Sequence, residues 1–293
     1  MKFIFYLIKF SGIPYLIREF IQKRNVTILL YHDISENNAA LHFRYLKKNY
    51  NIISLKDFIN AYKKNEVQEL PQKSLIITLD DGHKGNYKLL PLIKELNIPI
   101  TIFLCSHIIC SNKHFWFKHE YSGVSIEKMK RMKNLERLEY LKSKGFEQKR
   151  EYDDRHALSL NEIKEMTAYV DFQSHSMYHP CLPSCNSEEA EMEISESKKQ
   201  LEKILVKEIN VFSYPNGDYS DRDIEHLKNS NYAAGITCDL WFNNNKTDIY
   251  RLKRLDCQDN ASLVELEVKV TGAFIFLRRL LFGQNFGYKK QPV

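Results

Sequence analysis

Residues 75–82 read Leu-Ile-Ile-Thr-Leu-Asp-Asp-Gly, an apolar run that stops at two adjacent carboxylates and a glycine. The continuous apolar run predicts a strand buried on both faces, as in a parallel sheet that helices cover. In such folds the carboxyl ends of the strands carry the functional side chains. We therefore expect Asp80 and Asp81 to lie in a functional site.

A second stretch, residues 170–180, has the same organisation. Its first three residues predict a short strand, and His175 and His179 follow four residues apart. Two imidazoles and one carboxylate of the aspartate pair supply the three ligands of a zinc-type site, and the other carboxylate remains free as a base. Ser176 stands where a peptidase of the H-E-x-x-H type has its glutamate, which argues against that class. The sequence therefore predicts metal-assisted hydrolysis of an amide or ester.

Predicted strands and helices alternate over most of the chain, which predicts an α/β fold with a parallel sheet. About seven strand–helix units favour a closed, distorted barrel over an open sheet. The predicted strands cover residues 26–31, 52–54, 75–79, 100–104, 170–172, 210–212, 234–237 and 251–255. The predicted helices cover residues 41–48, 55–64, 86–96, 126–144, 159–168, 187–205 and 220–229.

Residues 106–158 interrupt this alternation with a charged, helical insertion. Two interpretations stay open: a segment packed over the barrel, or a lid. Within it, the three adjacent aromatics 115–117 are either a sugar-stacking platform or part of a core edge.

Formal charge is concentrated at the two ends of the chain. Of the net +6, residues 1–24 carry +4 and residues 261–293 carry +3, which leaves −1 for the residues between them. A nucleic-acid-binding domain usually carries its basic surface on the folded body, so this distribution argues against nucleic acid as a partner. Apolar, basic ends suit an anionic membrane surface, and we expect peripheral membrane contact through both.

These observations divide the chain into three parts. We predict an apolar helical N-terminal segment (1–24), a barrel (25–260) and an apolar, basic C-terminal tail (261–293). Three interpretations of the first part stay open: an interfacial anchor, a helix packed on the barrel, and an uncleaved signal anchor.

Six cysteines are spread along the chain without a C-x-x-C pair. A chain of 293 residues buries a core large enough to fold without disulfides, so we interpret them as reduced thiols. Cys181 and Cys185 as zinc ligands remain an alternative. Reduced thiols predict a cytoplasmic protein. With the apolar, basic termini, we expect it to bind peripherally at the inner membrane face.

Three motifs end predicted strands, and their combination is specific. They are Thr78-Leu-Asp80-Asp81-Gly82, His175-Ser-Met-Tyr-His179-Pro180 and Phe212-Ser-Tyr-Pro-Asn-Gly217. Together they resemble the polysaccharide deacetylase family, which is carbohydrate esterase family 4 with its chitooligosaccharide-deacetylase homology domain. Residues 30–33, Leu-Tyr-His-Asp, are similar to the opening strand of its poly-N-acetylglucosamine-deacetylase branch. The resemblance covers residues 26–256.

The resemblance implies a distorted (β/α)7 barrel, here with a helical insertion and apolar, basic terminal helices, and removal of acetyl from an N-acetylated sugar. It also implies a divalent metal, zinc first and cobalt or nickel as alternatives. Asp80 is then the catalytic base, and the implied metal ligands are Asp81, His175 and His179. The third motif implies that the Tyr214 backbone N–H stabilises the oxyanion, in a substrate-binding turn formed by Pro215, Asn216 and Gly217.

Two departures from the family pattern bear on the catalytic residues. Ser213 stands where many relatives have an arginine that braces the catalytic aspartate. The late histidine that many members use as general acid is absent, and His32 at the end of the first strand is the substitute we predict. Arg254 resembles the family's late arginine and is expected to bind substrate or close the barrel; Trp241 is expected on the rim of the substrate site.

We therefore predict a metal-dependent carbohydrate N-deacetylase that removes N-acetyl, or another small acyl group, from a glycan or glycan precursor. The two departures leave an alternative open, a catalytically silent glycan-binding module on the same barrel. A membrane-associated assembly protein with a vestigial site is a third hypothesis.

Overall fold

The computed structural model of the chain describes residues 2–119, 121 and 123–283, apart from the side chains of Lys2 and Phe282. Residues 284–293 of the predicted C-terminal tail lie outside the described residues. The strands are β1 (Thr27–Tyr31), β2 (Asn51–Ile52), β3 (Ser74–Leu79), β4 (Ile100–Leu104), β5 (Val170–Ser174), β6 (Val211–Ser213), β7 (Ala234–Leu240) and β8 (Leu252–Asp256).

Twelve α-helices are found in the described residues, and short 3-10 and π turns join several of them. The helices are α1 (Lys2–Phe10), α2 (Ile13–Leu16), α3 (Glu36–Asn49), α4 (Leu55–Lys63), α5 (Leu90–Leu96), α6 (Ile126–Met129), α7 (Asn134–Ser143), α8 (Leu160–Met166), α9 (Ser187–Leu205), α10 (Asp221–Asn229), α11 (Leu263–Val270) and α12 (Ala273–Phe282).

The strands form one parallel sheet that closes on itself. Strand β1 pairs with both β3 and β8, so β1 and β3–β8 make a seven-stranded ring, and β2 pairs only with the start of β3. The predicted α/β (β/α)7 barrel is therefore confirmed. Because Tyr31 pairs with Leu79 at the ends of β1 and β3, the residues that follow them, His32 and Asp80, emerge at the same end of the barrel.

Local sequence explains where the helices begin. Ser54 and Asp57 form a capping box at the start of α4, and Ser159 and Glu162 form one at the start of α8. The predicted helix 126–144 is interrupted, because α6 ends at Met129 and α7 begins at Asn134. The interruption lets the insertion bend over the open end of the barrel.

The two terminal segments pack on each other and on the barrel. Phe5 of α1 is buried against Phe274 of α12, with ring centroids 5.2 Å apart. Buried Gln22 donates hydrogen bonds to Thr27 Oγ1 at the start of β1 and to the carbonyl oxygen of Val270. Among the described residues, no helix has the length and hydropathy that crossing a membrane requires.

Candidate active site

Three potential metal ligands meet where β3 and β5 end. Asp81 follows β3, and His175 and His179 follow β5; all three side chains are buried. Asp81 Oδ1 lies 3.5 Å from His175 Nε2 and 3.3 Å from His179 Nε2. One ligand atom from each residue lies within 4.8 Å of the others, so a single cation can contact all three.

Neighbouring groups fix the orientation of these ligands. His175 Nδ1 lies 2.7 Å from the carbonyl oxygen of Ser213, so an N–H there turns Nε2 toward the cluster. His83 Nε2 lies 2.9 Å from Asp81 Oδ2 and holds that carboxylate from the other side. Asp81 Oδ1 is buried without a hydrogen-bond partner among the described residues. A buried carboxylate oxygen facing two imidazoles fits a divalent cation of the zinc type.

Two of the three potential ligand residues have a strained backbone. Asp81 and His179 adopt left-handed conformations with φ of 72° and 59°, which cost energy for residues other than glycine. With this backbone conformation Asp81 Oδ1 and His179 Nε2 lie 3.3 Å apart. Left-handed residues of this kind are typical of functional sites.

Protonation states in the cluster suit metal binding. Burial alone would raise the pKa of Asp81, but His179 and His83 beside the carboxylate outweigh this and hold that pKa well below its usual range. Burial lowers the pKa of His179 to about 3. The site therefore presents an anionic oxygen and a neutral imidazole at neutral pH.

Asp80, the predicted base, is held by Arg254 from β8. Both residues are buried, and the guanidinium donates to Asp80 Oδ1 and Oδ2 over 2.8 Å each. Ser213 Oγ donates to Asp80 Oδ2 at 3.2 Å and accepts from Arg254 Nη2 at 3.1 Å. Burial favours protonation, but the guanidinium outweighs it, so the pKa of Asp80 is lowered and the carboxylate is ionised.

Arg254, predicted to bind substrate or to close the barrel, has a contact that neither prediction included, because it holds the catalytic carboxylate. Its Nη atoms contact Asp80 and Ser213, its Nε donates to the Thr237 carbonyl oxygen, and its side chain is buried. Arg254 braces the base from β8, a function that the family pattern assigns to an arginine at position 213. Arg254 also lines the cavity that opens above the site, so a contact with substrate stays a prediction.

A cavity of about 840 Å³ opens above these residues. His32 and Asn216 line it, as predicted for site residues. Residues that were not predicted to lie in the site also line it, and they come from the insertion and from the ends of several strands: Leu30, Ile126, Glu127, Lys130, Arg131, Asp218, Cys238, Leu240 and Asp256. The insertion therefore forms part of the cavity wall.

The three adjacent aromatics of the insertion have different environments. Phe115 and Trp116 are buried, and Trp116 Nε1 donates to the His179 carbonyl oxygen at 2.9 Å. Phe117 lines the cavity with its ring centroid 4.7 Å from that of His179. Only Phe117 is placed where it can contact a ligand, so two of the three form a core edge.

Two site predictions need correcting. The Tyr214 N–H donates to the carbonyl oxygen of Ile236 at 3.0 Å and is not free to bind an oxyanion. Trp241 does not line the cavity, because it lies under Arg279 of α12, with the guanidinium 4.6 Å from its ring.

The turn after β6 presents Asn216 to the cavity. Pro215 is buried, and a Cβ on Gly217 would lie 2.4 Å from Cys238 Cβ, so this position requires glycine. Asn216 has a φ of 58°, and no carbonyl oxygen of the described residues accepts a hydrogen bond from its backbone N–H. The predicted turn is therefore present, but only its middle residue lines the cavity.

Glu193 of α9 supports the loop that carries both histidines. Its Oε2 accepts hydrogen bonds from the N–H groups of Met177 at 2.8 Å and Tyr178 at 3.0 Å, and burial raises its pKa to about 7. We expect Glu193→Ala to weaken metal binding by roughly 10–100-fold, the effect typical of losing an outer-shell partner. Glu193→Gln keeps an oxygen acceptor and is the matched control. Metal titration checks both, and equal affinities for Ala and wild type would contradict this role.

A second group of potential ligands lies in the insertion. His114, Asp154 and His156 have ligand atoms within 4.8 Å of one another. The rings of His114 and His156 are stacked with centroids 3.6 Å apart, and His114 Nδ1 and Nε2 lie 3.0 Å from His119 Nε2 and 2.9 Å from the Asp154 carbonyl oxygen. These contacts hold the insertion together. No cysteine joins either group of potential ligands among the described residues.

Comparison with protein families identifies the chain. The family model described as polysaccharide deacetylase matches residues 67–235, which include both aspartates, both histidines and the turn after β6. The chain belongs to the polysaccharide deacetylase family. This confirms the resemblance and, with it, the prediction of a carbohydrate deacetylase, a hydrolase.

Individual proteins and solved structures that are similar to the chain are also described as polysaccharide deacetylases or other deacetylases. The chain is 22% identical over 239 residues to YxkH of Bacillus subtilis, a presumed polysaccharide deacetylase, covering 78% of this chain and 70% of that protein. The deacetylase PplD of Streptococcus pyogenes, solved with acetate, superposes with a TM-score of 0.63 and 19% identity over 84% of this chain and 98% of that chain. IcaB of Ammonifex degensii gives 0.60 and 17% over 85% and 97%. The solved structures support the fold.

Proposed function

We propose that this polysaccharide deacetylase is a zinc-dependent enzyme that hydrolyses the N-acetyl group of a glycan or glycan precursor. The observation that carries the proposal is the buried carboxylate of Asp80, which Arg254 holds beside a buried cluster of three potential metal ligands. A bound zinc ion there would polarise the amide carbonyl and lower the pKa of a bound water.

In this mechanism one residue accepts a proton and a different residue donates one. Asp80 takes a proton from the attacking water while Arg254 keeps the carboxylate in place. The backbone N–H of Asn216, in place of that of Tyr214, donates to the oxygen that becomes negative in the tetrahedral intermediate. His32 gives a proton to the nitrogen as the amide C–N bond breaks. The products are acetate and a free amino sugar.

Metal removal tests the proposal directly. We expect chelation to abolish acetate release from an N-acetylglucosamine oligomer and zinc to restore it, with cobalt and nickel as alternative activators. Magnesium is the control, because a cluster with two imidazoles favours softer cations. Full activity in chelator, with no metal detected by elemental analysis, would refute the metal requirement.

The alternative of a silent glycan-binding module is weakened by Arg254. That alternative depended on the missing arginine at position 213 and the missing late histidine. Arg254 supplies the guanidinium from another strand, and His32 lines the same cavity as the base.

We further propose that the protein is cytoplasmic and binds the inner membrane face through α1 and α12. All six cysteines are free thiols, in keeping with a reducing compartment. In α1, Phe3 is 74% and Leu7 56% exposed. We expect Phe3→Glu with Leu7→Glu to reduce sedimentation with phosphatidylglycerol vesicles. Val206→Glu is the control, since Val206 is 90% exposed but follows α9. Equal sedimentation of both variants would contradict this proposal.

A further inference from the structure

A second cavity adjoins the active-site cavity. It measures about 610 Å³ and shares Leu240 and Asp256 with the first. These are the last residues of β7 and β8, so both cavities open at the carboxyl end of the barrel. A ligand in the active site can therefore extend past these two residues without leaving the protein surface.

The terminal helices supply the far wall of this second cavity. Phe5 comes from α1, and Phe274 and Ile275 come from α12; Leu255 adds a further apolar wall from β8. Six of the eleven lining residues are polar or charged: Asp256, Gln258, Asn260, Glu265, Lys269 and Arg278. Within this group Lys269 pairs with Glu265 at 3.1 Å. The cavity therefore combines apolar residues with polar ones, which suits the part of a lipid anchor where an apolar chain joins its polar linker.

The same two helices expose an apolar face to the outside. Phe3 and Leu7 of α1 and Leu280 and Leu281 of α12 are each more than half exposed. The contact between Phe5 and Phe274 makes the two helices neighbours, and residues 1–24 carry a net charge of +4. Adjacent apolar side chains with a positive charge excess complement an anionic lipid surface.

We infer that the substrate is an N-acetylated sugar attached to a lipid anchor. The sugar occupies the active-site cavity, and the first part of the lipid occupies the second cavity. The rest of the chain continues past Phe274 and Ile275 into the membrane on which α1 and α12 lie. This inference rests on the proposed deacetylase function and specifies its substrate class.

The test compares two substrates with the zinc-loaded full chain. One is N-acetylglucosamine linked through diphosphate to a polyprenyl chain in phosphatidylglycerol vesicles; the other is a soluble N-acetylglucosamine oligomer. We expect kcat/KM for the lipid-linked sugar to exceed that for the oligomer by about tenfold or more, because burying one part of a lipid chain contributes on that scale. Equal values would overturn the inference but leave the deacetylase proposal intact. Acetate release from neither substrate would instead remove the deacetylase proposal.

Variants separate the second cavity from general effects. Ile275→Ser should lower the ratio of the two kcat/KM values by about tenfold. Leu280→Glu with Leu281→Glu should lower this ratio too, and because both side chains are exposed we expect the protein to stay folded. Val206→Ser is the control and should leave the ratio at the wild-type value. Unchanged ratios in both test variants, or a dimer in solution that buries this face and removes any dependence on vesicles, would overturn the inference.

Discussion

Asp80→Asn should lower kcat by about 10³-fold, the contribution typical of a positioned general base. An amide cannot take the proton of the attacking water, although it occupies nearly the same space and still accepts one hydrogen bond from Arg254. The cluster of Asp81, His175 and His179 keeps its three ligand atoms, so we expect bound metal to remain near one ion per chain. Acetate release and elemental analysis on the same sample measure both quantities.

Asp33→Asn is the matched control for this substitution. Asp33 follows β1 at the same end of the barrel, but its carboxylate is 39% exposed and lies 3.2 Å from the Lys118 ammonium. We expect this variant to keep wild-type kcat. If Asp80→Asn were as active as Asp33→Asn, the base would have to be another residue. If Asp80→Asn lost its metal, the separation of base and ligand would be wrong.

The sequence was informative where chemistry and strand ends coincide. The strand ending at Leu79 is followed directly by Asp80 and Asp81, and the strand ending at Ser174 by His175; parallel strands bring such ends together. For this reason Asp80, Asp81, His175 and His179 were predicted as a group from two segments about a hundred residues apart.

The partner of the base could not be found this way. A guanidinium reaches several ångströms from its backbone, so Arg254 on β8 contacts Asp80 as readily as an arginine at position 213 would. The sequence shows on which strand a long side chain starts. Which residue that side chain contacts depends on how the strands are arranged around the closed barrel. The same limit applies to Trp241, whose ring lies under Arg279 of α12.

The motif also could not show which backbone N–H group of the turn is available to the substrate. A turn such as residues 214–217 offers several N–H groups, and hydrogen bonding to the neighbouring strand decides which one stays free. Tyr214 donates to Ile236 on β7, which leaves Asn216 facing the cavity. The insertion was predicted less completely. Its charged helical pattern indicated a helix but did not show that Lys130 and Arg131 line the cavity.

Arg254→Met should be the most destabilising single substitution in this site. Removing one partner of a buried ion pair leaves an uncompensated charge, which costs about 3–5 kcal/mol of unfolding free energy. Arg251→Met is the matched control, because that arginine is 34% exposed and pairs with Asp221 at the surface. Surface pairs contribute about 0–1 kcal/mol. Denaturant unfolding compares the two variants at equal metal loading.

A double-mutant cycle isolates the interaction between Arg254 and Asp80. We expect the double variant Asp80→Asn with Arg254→Met to be more stable than Arg254→Met alone. In the double variant Asp80→Asn removes the buried carboxylate charge that Arg254→Met leaves unpaired. The coupling energy should be about 1–3 kcal/mol, as for residues in direct contact. Arg254→Lys keeps the charge but not the two-pronged geometry, so it should recover stability better than kcat. Additive effects in the cycle would show that Arg254 stabilises the barrel without positioning the base.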